Sequence, residues 1–597
     1  MKRLLTAVLK LVRDLSQAVV RFPWTVFCLG CSTGIACYLI SLQGSADLII
    51  EKLMFMFLLG AFIGVTAQFA AERFPRLDQR RRTVYGLAIL LTGGYYLIIA
   101  PAAAIDYGVG ARTMVAVFSM FCAFIWLPAA KGVFDFNQVA LVHFKAAFTA
   151  ILYAGVLTAG LASIIGAVDI LLFSVHSDCY GYMLALVWIL FAPSYYLSLL
   201  PRFNSCQKAD RAYTEQASGY PRFLETLISY IAIPLVAAYT LVLVAYFVKI
   251  GLSRNWPSGQ LGPMILAYSS AGLILYVLAS GLQDRLAVLY QLLFPKVLVP
   301  IVLMQLVSVF IRVRAYGITE SRYYLVLFGL FSLIIGVVLS LRPVEKNSLI
   351  ALLAAGFAVV SVLPPVDAFT RARTSQVERL EQYLVQGNIL VAGKLEPNPD
   401  ADLDLRIEAT NILYYLQRRG YVEAIDWLPA EFEVYRDMET VLGFQPTYPQ
   451  RGERKYTYVS LDSEQPVSIK GYDLLLEAGI YVSKGTTEAA VHDLNIDETG
   501  YRLQLKPIPN QELEVALLDA QGGELVTARL YDFAAQAAAG SDGKALAAAD
   551  LTLEAEEDGY RLGVVFQHIS LTTGNEAEPS ADYQLYLLVG IPRNNNH

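Results

Sequence analysis

Leu363-Pro-Pro-Val-Asp367 is the stretch at which the character of the chain changes. Before it, eleven apolar segments of roughly 18 to 26 residues follow one another, and each is long enough to cross a bilayer. After it, an acidic segment without cysteine fills the rest of the 597-residue chain. We therefore predict a polytopic α-helical membrane protein of about 11 spans, followed by a C-terminal α+β soluble domain that ends in a β-sandwich-like module.

The apolar segments define a transmembrane helical domain over residues 23–365. The composition agrees, because 56% apolar residues, 16% charged residues and a mean hydropathy of +0.47 are typical of membrane proteins. We predict the spans near 23–42, 51–70, 83–101, 113–130, 139–166, 180–200, 224–250, 261–281, 296–312, 322–341 and 347–364.

The two parts of the chain carry opposite charge. Residues 366–597 hold 19 Lys and Arg against 37 Asp and Glu, whereas the preceding part holds 27 against 15. A basic membrane domain suits an anionic inner leaflet, and an acidic soluble domain is repelled by anionic lipid and by nucleic acid. We therefore expect membrane lipids as partners and no nucleic acid.

Residues 1–22 are predicted to form an amphipathic interfacial helix, because apolar residues recur at helical spacing with basic and polar residues opposite them. The alternative is a cytoplasmic extension of the first span. The apolar positions are Leu4, Leu5, Val8, Leu11, Val12, Leu15 and Val19.

The distribution of basic residues between the spans predicts the orientation. Lys and Arg favour cytoplasmic loops, and the loop between the second and third predicted spans is the richest, with Arg73, Arg76, Arg80, Arg81 and Arg82. With this loop and the N-terminus in the cytoplasm, an odd number of spans places the C-terminal domain outside the cytoplasm. The six cysteines all lie in the membrane part, so cysteine usage does not assign the side of the soluble domain.

The segment Arg312-Val-Arg-Ala-Tyr-Gly-Ile-Thr-Glu-Ser-Arg-Tyr-Tyr324 contradicts this orientation rule and is also the best candidate site. Guanidinium groups clamp phosphate or carboxylate, and tyrosines suit the headgroup region, so an anionic lipid or lipid-linked phosphate is a sensible ligand. The structural alternative is that Thr319 caps the next helix while Glu320 and Arg322 fix the turn. The candidate anionic-ligand residues are Arg312, Arg314, Tyr316, Glu320 and Arg322.

No catalytic or cofactor signature is found elsewhere. Cys28-Leu-Gly-Cys31 has the spacing of a redox or metal site, but it lies inside an apolar span without a second pair, so packing explains it better. The five histidines form no zinc-binding pair, and the chain has no Walker loop, GxGxxG or GxSxG motif. We therefore assign no catalytic residue and expect neither a cofactor nor a metal.

The soluble part is predicted to contain two regions. Residues 366–450 form a helical connector, in which Leu380 with Leu384 and Ile412 with Leu416 have helical spacing. Residues 451–597 form an acidic β-rich domain, which is either a structural cap or a module that binds carbohydrate or protein. A flexible insertion is expected at 534–549. Strands are predicted at 456–461, 467–469, 501–505, 513–518, 525–531, 560–565 and 583–589.

Several short motifs, in order and spacing, resemble a family of bacterial inner-membrane proteins known as domain of unknown function 4153. The resemblance implies a location in the bacterial cytoplasmic membrane, but it supplies no activity and no catalytic residues. The matching stretches are Arg21-Phe-Pro23, Pro221-Arg-Phe-Leu224, Lys249 with Trp256-Pro-Ser-Gly259, Tyr316-Gly-Ile-Thr-Glu-Ser-Arg-Tyr323 and Ser375-Gln-Val-Glu-Arg-Leu380.

The favoured hypothesis is a non-enzymatic multi-pass protein that acts in envelope assembly, transport or sensing, with an envelope protein or a glycan as partner of the C-terminal domain. One alternative is a membrane glycosyl- or phosphoglycosyl-transferase acting on lipid-linked substrate, which would need a carboxylate such as Asp47, Glu51 or Asp169. A secondary transporter ranks third, because no repeat between the two halves is evident.

Overall fold

A computed structural model provides the structure of the chain. It describes residues 2–592 except 43–46, 206, 254–260, 343, 345–346, 430, 449–454, 463–465, 484–488, 498, 509–511, 541–544 and 574–579. The Trp256-Pro-Ser-Gly259 motif therefore lies outside the described residues. The chain divides into two compact units, Met1–Pro446 and Thr447–His597.

The first unit is a helical bundle with the connector packed on it. After helix α1 (Lys2–Arg21), the described part of the chain contains ten helices that are long and apolar enough to cross a membrane. The seventh, Lys208–Ile250, includes α8 (Lys208–Ala217) and most of α9 (Ile233–Ser253). The others are α2 (Pro23–Leu42), α3 (Leu48–Arg73), α4 (Arg81–Ile99), α5 (Tyr107–Ala129), α6 (Phe136–Leu171), α7 (Asp178–Leu199), α10 (Leu261–Ala279), α11 (Arg285–Tyr316) and α12 (Glu320–Leu341).

Aspartates begin several of these helices. The side chain of Asp106 accepts a hydrogen bond from the backbone N–H of Val109 at 2.7 Å, and Asp135 forms a capping box with Gln138 at the start of α6. Asp284 similarly begins α11. Because a carboxylate satisfies the free N–H groups and favours the positive end of the helix dipole, these residues determine where the spans start.

The eleventh predicted span forms a helix that is shorter than the other ten. It forms α13 (Ser348–Val360), which has 13 residues and is about 20 Å long, less than the roughly 30 Å of a bilayer core. Its backbone leaves the helical path after Val360, where turns lead to Pro364 and Pro365, because proline supplies no N–H for a further helical turn.

We call one end of the bundle the arginine-rich end, because the five arginines between residues 73 and 82 lie there. Polar contacts between distant segments hold this end together. Arg21 binds both carboxylate oxygens of Glu72 at 2.8 Å. The side-chain amide of Asn347, just before α13, donates to Asn137 at 2.7 Å and to Ser280 at 2.8 Å. The Asn347 contacts join the starts of α6 and α13 to the end of α10. Arg73, at the end of α3, donates to the carbonyl of Ala130 before α6 at 2.5 Å, so the start of α2 lies at the same end.

We call the opposite end the connector end, because the connector begins there. It contains the beginning of α5 and the residues that follow α13. The ring of Tyr107 packs edge-on against Phe369, with 6.1 Å between the centroids, and the Tyr323 hydroxyl donates to the Val366 carbonyl at 2.5 Å. Since α13 starts at one end and residues 361–367 finish at the other, α13 and the turns after it complete one more passage along the bundle.

The connector continues this unit. It consists of α14 (Ala368–Gln386), the hairpin β1 (Leu390–Val391) and β2 (Lys394–Leu395), α15 (Leu403–Arg418) and α16 (Val434–Leu442). The predicted helical spacing is confirmed, because the apolar positions that carry it are buried in one core: Leu380, Leu384, Leu405, Ile412, Leu413 and Leu416.

The second unit is a β-sandwich. Its strands are β3 (Lys455–Ser460), β4 (Leu474–Ser483), β5 (Ala490–Ile496), β6 (Thr499–Ile508), β7 (Glu512–Leu518), β8 (Glu524–Arg529), β9 (Thr552–Glu557), β10 (Tyr560–Thr573) and β11 (Ser580–Gly590). One sheet has the order β3-β10-β11-β4 with β9 paired to β10, and the other has the order β5-β6-β7-β8. Residues from both sheets share one apolar core.

Two predictions for this unit are wrong. Residues 467–469 form no strand and lie in the connection before β4. The expected flexible insertion begins as helix α17 (Tyr531–Gly540), in which Ala534 and Ala538 are buried in the sandwich core. Alanine favours helix and its small side chain allows close packing, so composition alone misled this prediction. Residues 541–544, in the same predicted insertion, lie outside the described residues.

Candidate functional site

The candidate site centres on the short link between α11 and α12. Gly317 ends α11 with φ of +67°, in the region that favours glycine. A Cβ atom at this position would lie only 2.6 Å from the side-chain nitrogen of Gln376 on α14. Glycine is therefore required both by the turn and by the close approach of the connector.

Two side chains of α14 hold this link. The amide of Gln376 donates to the carbonyls of Tyr316 and Ile318, both at 3.0 Å. The hydroxyl oxygen of Ser375 accepts from the backbone N–H of Ile318 at 2.9 Å. These contacts satisfy backbone groups that the end of a helix leaves without partners, and they fix the connector to the bundle.

Glu320, at the start of α12, is the buried anchor of the site, with 1% of its surface exposed. Its carboxylate accepts hydrogen bonds from the hydroxyls of Tyr415 and Tyr421, the latter at 2.6 Å, and lies 3.6 Å from Arg419. A buried carboxylate is tolerated when it is paired and hydrogen-bonded. Burial, and then the hydrogen bond to this carboxylate, raises the pKa of Tyr415 and of Tyr421.

Aromatic contacts extend the anchor to α5. The guanidinium of Arg419 lies 4.2 Å from the ring centroid of Tyr107, and that of Arg112 lies 5.6 Å from the ring of Phe369. Cations over aromatic faces are stabilised by the ring quadrupole. The connector is thus attached to α5 as well as to α12.

Arg322 stabilises the end of α11. Its Nη1 donates to the carbonyl of Tyr316 at 3.0 Å and to that of Gly317 at 2.9 Å. The expectation that Thr319 caps α12 is wrong, because its side chain makes no capping hydrogen bond to the described residues of α12. The contacts of Arg322 confirm the structural alternative for this residue, which fixes the turn. The negative end of the α11 dipole is therefore covered by protein groups.

Arg312 and Arg314, unlike Arg322, make no hydrogen bond to the described residues. Arg314 is exposed and Arg312 is half-buried, and neither has a hydrogen-bond or ion-pair partner among the described residues. Arg314 lines an open cleft of about 380 Å³ between the end of α11 and α14. The connector side of the cleft is formed by Ser375, Glu378, Arg379, Gln382, Tyr383 and Gln386.

Arg379 joins the two sides of the cleft. It pairs with Glu408 of α15 at 2.6 Å, and its guanidinium lies 5.7 Å from the ring centroid of Tyr316 and 5.3 Å from that of Tyr383. The structure thus brings all five predicted site residues to one joint, but among them it is Arg314 that lines the described part of the cleft.

Sequence reasoning missed the connector half of this site. Tyr415 and Tyr421 lie 95 and 101 residues after Glu320, and Gln376 lies 60 residues after Tyr316. No local motif signals such distant partners. The available hint was the Ser375-Gln-Val-Glu-Arg-Leu380 stretch, which the family resemblance singled out without a role.

The carboxylates that a transferase would need have local structural contacts. Asp47 accepts a hydrogen bond from the backbone N–H of Ile49 at 3.0 Å and caps α3. Asp169 accepts from the backbone N–H of Val175 at 2.6 Å in the turn after α6. Helix capping and turn formation therefore account for both residues.

The fold and the joint define a polytopic α-helical membrane protein whose C-terminal α+β region begins with a connector docked on the bundle. A family model described as Domain of unknown function (DUF4153) matches residues 30–392, and the chain belongs to this family. The matched range includes both sides of the cleft and ends within the connector.

Among curated proteins, the chain is similar to "Uncharacterized protein PM1469" of Pasteurella multocida (strain Pm70), with 24% identity over 276 residues. The alignment covers 45% of this chain and 45% of that protein. No solved structure matches the chain.

Proposed function

We propose that this protein acts in the bacterial cytoplasmic membrane in envelope assembly, transport or sensing, and that it presents its connector and C-terminal β-sandwich outside the cytoplasm. The observation that carries this proposal is the separation of two features along the bundle. The connector is attached at one end, and the loop with five arginines between 73 and 82 follows α3 at the other.

The charge distribution supports this orientation. Basic residues in short loops remain preferentially in the cytoplasm, which favours a cytoplasmic position for the arginine-rich end. Arg312, Arg314 and Arg322 at the connector end oppose the rule, but Arg322 is bound by backbone carbonyls. Its placement follows from helix capping, so it is a weak indicator of orientation.

The buried joint supports a role in which the bundle and the connector act together. Residues 1–446 form one compact unit, in which Glu320 of the bundle is enclosed by Tyr415, Arg419 and Tyr421 of the connector. A buried, hydrogen-bonded carboxylate favours one arrangement of its neighbours. Such a joint suits a protein that holds an outer domain in a fixed position or transmits a change in that position to the spans.

The side of the connector can be measured with single cysteines in a full-length chain that lacks the native ones. Asn411→Cys lies on an exposed position of α15, and Gln79→Cys lies on an exposed position of the arginine-rich loop. We expect an impermeant maleimide to label Asn411→Cys in intact cells and Gln79→Cys only after lysis. The reverse pattern would contradict the proposed orientation.

The envelope role requires a cellular measurement. Cells that lack the protein should show an envelope defect, such as increased sensitivity to detergents, which the full-length chain restores. A chain that ends after Pro446 should fail to restore it if the β-sandwich engages an envelope partner. Full restoration by the shortened chain would contradict a role for that domain.

A further inference from the structure

The connector end of the bundle carries positive charge that the described part of the fold does not neutralise. Arg379 is paired with Glu408, and the hydrogen bonds of Arg322 go to uncharged carbonyl oxygens. Arg312 and Arg314 have no partner in the described part of the chain. The guanidinium groups of Arg322 and Arg379 lie 5.6 and 5.7 Å from the ring centroid of Tyr316, so positive charge is concentrated around this residue.

Helix-dipole stabilisation does not account for all of this charge. The C-terminal carbonyls of α11 would attract cations, but Arg322 and Gln376 already donate to the carbonyls of Tyr316, Gly317 and Ile318. Arg312 and Arg314 therefore remain available to an anion from outside the protein.

The cleft beside Arg314 has the size and the lining for such an anion. Its volume of about 380 Å³ lies within the range of small-molecule sites. Besides Arg314, it is lined by Gln382, Tyr383 and Gln386, whose side chains can donate hydrogen bonds. Among the described residues that line it, Glu378 is the one carboxylate, and it opposes an anion there.

The position of the cleft indicates the source of the anion. It lies at the end of α11, close to Tyr316, whose ring centroid is 5.7 Å from the guanidinium of the lining residue Arg379. The beginning of the next span, α12, carries Tyr323 and Tyr324. Tyrosines at the ends of spans mark the headgroup level of a bilayer. An anion at this level that matches the planar donors of arginine is the phosphate of a lipid.

We propose that the cleft between α11 and α14 binds the phosphate of an anionic lipid headgroup, with Arg314 as the charged donor. This inference goes beyond the proposed function and does not depend on which side of the membrane the connector occupies. Cysteine labelling tests the side, whereas lipid binding tests the cleft, so either can fail without the other.

Binding can be measured by titrating the purified full-length chain in detergent with fluorescent phosphatidylglycerol. Fluorescent phosphatidylcholine, which has no net charge, serves as the headgroup control. We expect tighter binding of phosphatidylglycerol, and a loss of about tenfold in affinity for the variant Arg314→Gln, because hydrogen bonds to charged groups contribute this much. Arg418→Gln removes the same charge from an exposed position of α15 and should leave the affinity unchanged.

A second variant excludes misfolding as the explanation. Glu378→Gln removes the opposing carboxylate from an exposed position of the cleft and should raise the affinity for phosphatidylglycerol about threefold. Equal binding of the two lipids, or wild-type affinity in the Arg314→Gln variant, would overturn the proposal. Full displacement of the lipid by glycerol 3-phosphate would also overturn it, because the ligand would then be a soluble phosphate ester.

Discussion

The two ends of the bundle hold their arginines in different ways. At the arginine-rich end, Arg21 binds both oxygens of Glu72 and also the carbonyls of Leu200 and Pro201. At the connector end, the buried carboxylate of Glu320 is enclosed mainly by tyrosine hydroxyls, and Arg312 and Arg314 have no partner among the residues that the structure describes. The comparison shows that an arginine fastens the fold at one end, whereas the other end has two arginines without a partner among the described residues.

The different partners of Glu72 and Glu320 follow from where each carboxylate lies on its helix. Glu72 lies at the end of α3 and meets an arginine that comes from the junction of α1 and α2. Glu320 lies at the first position of α12, where the helix dipole favours a negative charge, and needs fewer cations. Tyrosine hydroxyls therefore satisfy most of its hydrogen-bonding capacity, and Arg419 contributes a longer contact of 3.6 Å.

The largest effect is expected for Glu320→Ala. The change leaves Tyr415, Tyr421 and Arg419 without their acceptor in a mostly buried joint, and we expect a loss of about 3 kcal/mol of stability. The loss can be measured as a lower midpoint of thermal unfolding, monitored by the reactivity of the buried thiols of Cys28 and Cys122.

A matched control is Glu215→Ala, because Glu215 pairs with Arg211 on an exposed helix surface. That pair should contribute less than about 1 kcal/mol. Equal shifts of the midpoint for the two variants would show that Glu320 does not anchor the connector.

A smaller effect is expected for Arg21→Ala at the arginine-rich end. This change removes a bidentate ion pair and two hydrogen bonds to carbonyls, but the Glu72 carboxylate left behind is partly exposed and can be hydrated. We expect a loss of about 2 kcal/mol, again measured from the unfolding midpoint. A loss larger than that for Glu320→Ala would reverse the proposed ranking of the two ends.

Sequence alone predicted the bundle well but only half of the joint. Spans are local signals, since about 20 apolar residues in a row have few alternatives to a membrane helix. The eleventh span was the exception, because apolar composition continues past Val360 although the helix ends there. The link between α11 and α12 could be singled out, but Tyr415 and Tyr421 meet Glu320 only after the connector folds.

The β-sandwich shows a second limit of sequence reasoning. Strand β4 was missed, because its three consecutive leucines from 474 to 476 break the alternation of apolar and polar residues in the sequence and Gly479 disfavours a strand. In the structure, a Cβ at Gly479 would lie 2.6 Å from the side chain of Gln584 on the neighbouring strand. The glycine is explained by a cross-strand contact that no local pattern reveals.

A moderate effect is expected for Gly317→Ala in the link. The substitution places a side chain at φ of +67° and next to Gln376, and it should cost about 1–2 kcal/mol. Protease cleavage of the connector should become faster, since the contacts of Gln376 are disturbed. Gly356→Ala is the matched control, because its Cβ meets nothing within 4 Å on α13. Faster cleavage in both variants would contradict a specific role of the link.

The smallest effect is a pH dependence at the connector end. Because the pKa of Tyr421 is raised in the folded protein, folded Tyr421 keeps its proton at a pH where the unfolded chain loses it. Its contribution to stability is therefore complete below pH of about 10 and is lost as the pH rises towards the folded pKa. In the wild type, the unfolding midpoint should fall between about pH 9 and about pH 11. In Tyr421→Phe this fall should be smaller, by an amount equivalent to about 1 kcal/mol of unfolding free energy.

The control for this pH dependence is Tyr414→Phe, which changes an exposed tyrosine on α15 and should leave the slope unchanged. If both variants retain the wild-type slope, the hydroxyl of Tyr421 is not a buried donor to Glu320. The contrast between the two ends of the bundle would then depend on Tyr415 and Arg419 alone, because these are the other described groups that reach the Glu320 carboxylate.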